Sequence, residues 1–407
     1  MRLLRIPTYY DHYWRQFYLA RPGLEAAPYE TQLEQIHLDA FFNADADTKA
    51  LTCLGYECVE FPYDVVPLQK AWAKENGIGW DPLTFKNIHS LEMVKRVKPD
   101  IIYIVNAEHG QDWIAQAREA SKVRLIMRWC GVSVAPETLR PYDLVLTCNQ
   151  GLANPFEQAG LKVKLVPFAF DVDVLSRINT SAKRDIPLSF IGSLNQGQGY
   201  HLKRVEVVKK LLEAEALTLF TPDQKLPRKK EIEMRCAQAL VSMARRVGIS
   251  DSKISSLPGI GSKLLSAARI DLRMSGMISR FSKTPVYGME MYDVMARSYS
   301  TFNMHLDATG EFVGNVRLFE ASGAGSCLLT DEKADLSDYF EPDKEVVTFS
   351  TAAEAVEKAA WLRDHPEACV EIGKAAQRRV LKDHTYTNRA EKIDSLIKAE
   401  LRTGSSG

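Results

Sequence analysis

The sequence predicts an α/β protein built from two doubly wound parallel sheets, and three observations carry that expectation. Short apolar runs rich in β-branched residues alternate with helical stretches through the first half. One of these runs, DIIYIVN at residues 100–106, lacks polar alternation, as a strand covered on both faces must. The rhythm then restarts near Ile186 with PLSFIGSL, which predicts a second sheet domain and a cleft between the two.

Taken in order, residues 2–6 form the first strand, 33–54 a helical stretch closed by Gly55, and 57–61 the second strand. A helix over 111–120 precedes the strands VRLIMRW and YDLVLTC, followed by a short helix at 155–158 and KVKLVPFAF. Ligands of such sheets bind beyond the carboxyl ends of the strands, here residues 7–14, 106–110, 128–133 and 147–150. The first of these turns lacks GxGxxG, which disfavours an ordinary nicotinamide or flavin oxidoreductase. In the second half a helix over 201–216 and the strands LTLFT, SYSTFNMH and SCLLTD follow, and residues 351–401 are strongly helical and charged. The expected division is 1–175, 176–385 with a helical insertion over about 225–283, and a final helix at 386–403. The terminal GSSG, 404–407, resembles an expression-vector remnant.

Composition sets outer limits. With 52 basic and 52 acidic residues in 407, the chain has no net charge, which argues against a surface that binds nucleic acid throughout. No run approaches the roughly 18 apolar residues of a membrane span, and the start MRLLRIPTYYDHYW is too polar for a signal peptide, so a cytoplasmic location is expected. The 7 cysteines are scattered without a CxxC pair or a nearby histidine, as befits free thiols rather than a metal site.

Residues 302–331, FNMHLDATGEFVGNVRLFEASGAGSCLLTD, carry the most chemistry. They read as strand, polar loop, short helix, glycine turn and strand. The N–H groups of Gly314, Asn315 and Val316 and the positive end of the helix dipole suit a phosphate, and Arg317 adds a fixed charge. Glu320, three residues on and on the same helical face, suits the hydroxyls of a ribose beside that phosphate. The same residues also describe an ordinary intrahelical ion pair followed by a glycine stop.

Flanking motifs narrow the choice. TPVYGMEMYDVMARSYSTFNMHLD, NVRLFEASGAGSCLLTD, YFEPDKEVVTFST and RRVLKDHTYTNRAEKI together resemble the C-terminal domain of CgeB-like (spore maturation type) glycosyltransferases with the GT-B fold. The likeness covers about residues 287–393, with FIGSL and Arg204 as a looser extension. It implies two Rossmann-like domains facing a cleft. A nucleotide-diphosphate sugar would be held by the second domain and an acceptor mostly by the first, with no metal or other cofactor required. By the same resemblance Glu320 would hold the ribose and the segment from Gly314 to Arg317 the diphosphate. Gly192, Ser193 and Arg204 would approach the phosphate, the backbone of Val286, Tyr287 and Gly288 would read the base, and His305 would touch pyrophosphate or sugar. A tight turn, a core tyrosine and a structural histidine are the plain alternatives for these positions.

Two departures from the family pattern stand out. Where many retaining GT-B enzymes place a glutamate eight positions before the ribose glutamate, this chain has Phe312, with Glu311 one place out of register. An inverting reaction needs a base from the acceptor side, for which Asp11, His12, Glu108 and His109 lie on suitable loops, and the Glu108–His109 pair follows the clearest strand. The second departure is the insertion. Residues 201–284 hold 17 basic and 8 acidic side chains, facing an anionic acceptor such as a lipid-linked sugar or charged glycan, or a membrane surface in peripheral contact. Within it LPGIGSKLL is similar to a helix-hairpin-helix turn that clasps a nucleic-acid phosphate, or is a plain turn between helices. The resemblance thus implies a glycosyltransferase of surface polysaccharide or glycoconjugate assembly. A transferase acting on DNA bases, a nonhydrolysing nucleotide-sugar epimerase and a catalytically idle nucleotide-binding protein are the alternatives.

Overall fold

A computed structural model describes residues 1–179, 183–194, 202–222, 227–305 and 307–403. The tail 404–407, the expected first residue of the helix at 201 and the first residues of the insertion, Lys225 and Leu226, lie outside the described residues.

The first sheet contains β1 (Arg2–Pro7), β2 (Glu57–Glu60), β3 (Ile101–Val105), β4 (Leu125–Trp129), β5 (Leu144–Thr147) and β6 (Val163–Leu165) in the order β2-β1-β3-β4-β5-β6. The second contains β7 (Ile186–Ile191), β8 (Thr218–Phe220), β9 (Ser282–Lys283), β10 (Ser298–Asn303), β11 (Cys327–Asp331) and β12 (Val347–Phe349) in the order β12-β11-β10-β7-β8-β9. Every strand pairing is parallel, and β3 and β4 are buried along their whole length, β3 as its unbroken apolar run requires and β4 with Arg128 as its one charged residue. The winding direction reverses between β1 and β3 in the first sheet and between β7 and β10 in the second. At those two places adjacent strands send their loops apart and open a crevice.

Residues 33–54 do not form one helix. Helices Tyr29–Asp39 and Ala46–Cys53 are separated by a segment in which Ala40, Phe42 and Ala44 all take positive φ. Two tertiary contacts hold this strained turn: the Ala44 carbonyl accepts from buried Arg5 Nη1 at 2.7 Å, and Phe41 stacks on Tyr13 at 4.0 Å. Neither partner is local, so helical periodicity alone ran through the break.

The C-terminal helical region is three helices, Ala352–Asp364, Pro366–Asp383 and Tyr386–Thr403. The last crosses to the first half, where Ala390, Ile393 and Ile397 complete the core beneath β4 and β5. Arg389 enters with it: Nε donates to Asp47 Oδ1 at 2.9 Å, Nη2 to the Tyr103 hydroxyl at 3.1 Å and Nη1 to the Val166 carbonyl at 3.1 Å. The insertion contains helices Arg228–Arg246, Asp251–Ser255, Gly261–Ala268 and Leu272–Phe281. Leu272–Phe281 joins the second core through Met274 and Ile278, whereas the preceding helices gather around a small cluster of their own, Val241, Ile254 and Leu265. The LPGIGSKLL motif is the turn inside that cluster. Gly259 has φ +74°, and a Cβ on Gly261 would lie 2.1 Å from the Ile254 carbonyl oxygen, so the spacing serves close helix packing.

Candidate active site

The second switch point gathers the residues singled out in the sequence. Past the end of β10, the Asn315 side chain ties the following loop back to the strand, donating from Nδ2 to Asn303 Oδ1 at 2.7 Å and to the Met304 carbonyl at 3.3 Å. Its Oδ1 accepts from the Arg317 N–H at 3.1 Å, so part of the helix start is capped internally. The N–H groups of Gly314, Asn315 and Val316 meet no acceptor among the described residues.

Glu320 lies one turn into the helix Arg317–Gly323 and is 2% exposed. Arg317 Nη1 stands 2.6 Å from its Oε2, and the Tyr292 hydroxyl 3.5 Å from Oε1. Burial raises the Glu320 carboxyl above its ordinary range, opposed by the Arg317 charge. On the adjacent strand ends His305 is buried, its Nδ1 2.7 Å from Asp331 Oδ1 and its backbone N–H 2.9 Å from the same oxygen. Lys333 Nζ lies 3.2 Å from Asp331 Oδ2. Burial alone would raise Asp331, but the His305 hydrogen bond and the His305 and Lys333 charges hold it at about 2. His305 Nε2 is buried and unpartnered among the described residues.

Gly192 and Ser193 occupy the turn after β7. The Gly192 N–H donates to the Phe220 carbonyl at 3.2 Å, which fixes the turn against β8. Arg204 is buried behind them, hydrogen-bonded through Nη2 to the Met304 carbonyl and through Nη1 to the Ser193 carbonyl at 3.4 Å. It clamps the loops after β7 and β10 together, and burial lowers it to about 10.

The first half faces this crevice closely. Tyr10, in the loop after β1, is 66% exposed, and burial of its hydroxyl followed by the Glu320 charge raises its pKa. A Cβ on Gly151 would lie 2.5 Å from the Thr309 carbonyl oxygen, and one on Gly314 would lie 2.0 Å from Asn149 Nδ2. Asn149 caps the helix Gln150–Gln158, accepting from the Leu152 N–H at 2.9 Å. Val286 is buried, and Tyr287 packs edge-on to Tyr13 and Phe41 at 5.9 and 5.5 Å. Gly288 has φ +53° and abuts Asp39, whose Oδ2 would lie 2.1 Å from an added Cβ. Tyr287 and Gly288 of this segment thus form part of the seam between the halves.

Residues 260–395 match the family model described as "Glycosyl transferase-like". Solved structures with the same arrangement of two sheets include Anabaena HepE in complex with UDP-glucose (TM-score 0.52, 12% identity, covering 98% of this chain and 100% of that one). A glycosyltransferase from Rickettsia africae (0.52, 9%, 98% and 98%) and the sucrose-phosphate synthase of Thermosynechococcus elongatus (0.50, 10%, 99% and 100%) share it. The fold is GT-B, and the enzyme class is glycosyltransferase. A comparison with curated protein sequences found no match.

Within this glycosyltransferase the four expected acceptor-side bases differ sharply in access. Asp11 and His12 open the helix Asp11–Leu19 and are exposed, with Asp11 held by Trp14 Nε1 at 3.2 Å. Glu108 is exposed on the loop after β3. His109 is the exception. It is buried, stacked on Trp113 at 3.9 Å, with Nδ1 3.3 Å from Asn87 Oδ1, and burial together with the Arg128 charge lowers it to about 3. A ring so placed takes up a proton poorly, because packing in the first core removes the water that would stabilise the imidazolium.

Sequence reasoning singled out none of Tyr10, Asp64 and Arg128. Tyr10 lay in the strand-end range 7–14 without a reason to be picked from it. Asp64 sits where the neighbouring β2 ends, accepting from the Tyr9 N–H at 3.1 and 3.2 Å, and burial raises it to about 7. The FPYD run after β2 was its only signal. Arg128 lay in a strand-end range without a reason to be singled out.

Proposed function

We propose that the protein transfers a sugar from a nucleoside-diphosphate donor held at the second switch point to an acceptor hydroxyl presented by the first half. The observation that carries this reading is Glu320. It is a buried carboxylate whose charged partner, Arg317, starts the same helix, beside a loop whose Gly314, Asn315 and Val316 N–H groups meet no acceptor among the described residues, and its charge acts on Tyr10 of the first half. The fold is shared with HepE, solved with UDP-glucose, which supports a nucleotide sugar as the ligand class. In this reading Glu320 binds the ribose hydroxyls and Gly314 to Arg317 the diphosphate. His305, oriented by Asp331, presents Nε2 to the pyrophosphate or sugar, and the backbone of residues 286–288 meets the base.

The acceptor oxygen forms a bond to the anomeric carbon as the bond from that carbon to the phosphate oxygen breaks, and the nucleoside diphosphate departs with the electron pair. The acceptor proton goes to a carboxylate of the cleft, for which Asp11, Glu108 and Asp64 are placed, or to the leaving phosphate itself. Arginine and helix-start N–H groups would meet the developing charge on the diphosphate, so the proposed reaction needs no metal. A thermal-shift screen of nucleoside diphosphates and their sugars tests the reading: a donor at 100 times its dissociation constant should stabilise the fold by about 2.7 kcal/mol. No shift with any of them in a folded protein would refute it.

The finer placement among CgeB-like enzymes of surface-polymer assembly is part of the proposal and rests on the motifs around Tyr287 to Ile393. The insertion supports a peripheral membrane role. On the helix Arg228–Arg246, Ala237 and Val241 pack inward. Ile232, Leu240 and Met243, along an exposed side of the helix, with Val247 just beyond, are 55%, 56%, 63% and 75% exposed. Arg228, Arg235 and Arg246 edge this stripe by helical geometry. Nucleic acid attracts the charge but has no use for the stripe, whereas an anionic bilayer suits both. Sedimentation with vesicles containing anionic lipid should capture the protein and lose it on Leu240→Glu with Met243→Glu. Retention of that double variant, or binding to duplex DNA alone, would overturn the assignment.

A further inference from the structure

We propose that the first half holds a preformed anion site at Arg128, and that the acceptor is a hydroxylated acid whose carboxylate or phosphate occupies it. This rests on the transferase reading, because the site matters only if an acceptor docks on the first half.

Arg128 lies near the carboxyl end of β4, one strand from the first switch point. It is 2% exposed, on the face of the sheet that carries Ile126, among Tyr142, Trp113 and His109. Its Nε and Nη1 have no hydrogen-bond partner among the described residues, and no carboxylate pairs with it there. Among the described residues its hydrogen-bonding neighbour is the Tyr142 hydroxyl, with the guanidinium 5.4 Å from the centre of that ring.

The fold treats other buried arginines of this half differently. Arg5 lies between Glu60 at 2.5 Å and Asp47 at 3.7 Å, and Arg389 meets Asp47 at 2.9 Å. A buried guanidinium left without a counter-charge is costly, so a site that keeps one implies an anion from outside. Burial is also what makes such a site selective, since water competes poorly for the donors.

A second orphan atom stands beside it. The Tyr142 hydroxyl bonds to both the N–H and the carbonyl of His109 at 3.2 Å, which sets that histidine next to the arginine. Its Nδ1 faces Asn87 Oδ1 at 3.3 Å, and its Nε2 is buried with no partner among the described residues. With Nδ1–H donating to Asn87, Nε2 offers a lone pair. The complementary ligand therefore carries a hydroxyl donor next to anionic oxygens, as in a uronic acid or a sugar phosphate. Glu108 stands exposed at the rim, close enough that its charge acts on Tyr142 and Cys130. In this arrangement His109 is a positioning residue for the acceptor.

The test uses the full chain without nucleotide, titrated with inorganic phosphate and separately with glucuronate, following the unfolding temperature. Saturable stabilisation is expected from at least one. The two arms distinguish a phosphate-bearing from a carboxylate-bearing acceptor. Arg128→Gln should weaken the effect at least tenfold, and Arg128→Lys should restore part of it. Arg317→Gln should leave it intact, which separates this site from the donor diphosphate site. An unchanged response in folded Arg128→Gln, loss only in Arg317→Gln, or no response to either anion in the unaltered protein would each overturn the proposal. Failure of nucleotide binding would instead strike the donor reading and leave these titrations unaffected.

Discussion

Replacing Glu320 by Gln separates binding from folding more cleanly than any other change at the donor crevice. The side chain is isosteric, and burial already disfavours the carboxylate, so removing its charge should offset much of what is lost by unpairing Arg317. Arg317 keeps 15% of its side-chain surface accessible and can turn toward the cleft. Unfolding free energy should therefore change by no more than about 1 kcal/mol. Affinity should change more. A hydrogen bond to a charged group contributes about 1.5–3 kcal/mol and a neutral one about 0.5–1.5 kcal/mol, so two ribose hydroxyls on Glu320 would lose about 2 kcal/mol, or roughly thirtyfold in Kd. Calorimetry with nucleoside diphosphates, beside urea unfolding of the same sample, reads both quantities. Arg317→Gln is the companion: it should weaken diphosphates but spare free nucleosides, whereas Glu320→Gln should weaken both. A folded Glu320→Gln protein within threefold of the original affinity would refute the ribose assignment.

Arg389→Ala should cost about 3–5 kcal/mol in urea unfolding, because it strips Asp47 of a buried partner and loosens the terminal helix from the first core; a cost below 1 kcal/mol would mean the contact is dispensable. Asp331, held at about 2 against an ordinary value of 3.8, contributes about 2 kcal/mol of stability that is present above pH 4 and lost as pH falls toward 2. Asp331→Asn should lose that contribution at pH 7 and flatten the acid limb of the stability profile, as denaturant titrations from pH 2 to 7 would record. Gly151→Ala places a methyl group 2.5 Å from the Thr309 carbonyl oxygen and should destabilise the seam between the halves by about 1–3 kcal/mol, checked by thermal unfolding and by small-angle scattering for a more open shape.

Much of the architecture was legible because its signals are local. The run around Ile102 is apolar on both faces and those around Ile126, Phe190 and Leu328 are mostly so, which suits covered parallel strands, and their alternation with helices pointed to two doubly wound sheets. The local contacts of Asn315, Arg317 and Glu320 were legible for the same reason, since they fall within two turns of chain. Where partners are distant the reading failed. The helix over 33–54 breaks at Ala40 to Ala44 because Arg5, far off in sequence, needs the Ala44 carbonyl. His109 looked like a base on an open loop until Trp113, Asn87 and Arg128 closed around it.

The sequence by itself determined the fold class and the local spacing of Asn315, Arg317 and Glu320 on which the proposed donor site rests, since periodicity and short spacing are properties of neighbouring residues. Tertiary structure decided which titratable groups remain usable. Asp11, His12 and Glu108 stay exposed, Asp64 is raised by burial, His109 and Arg128 are enclosed without full partners among the described residues, and the Glu320 charge acts on Tyr10. Burial and the charges brought by other strands set those properties, and neither can be summed from residues adjacent in the chain.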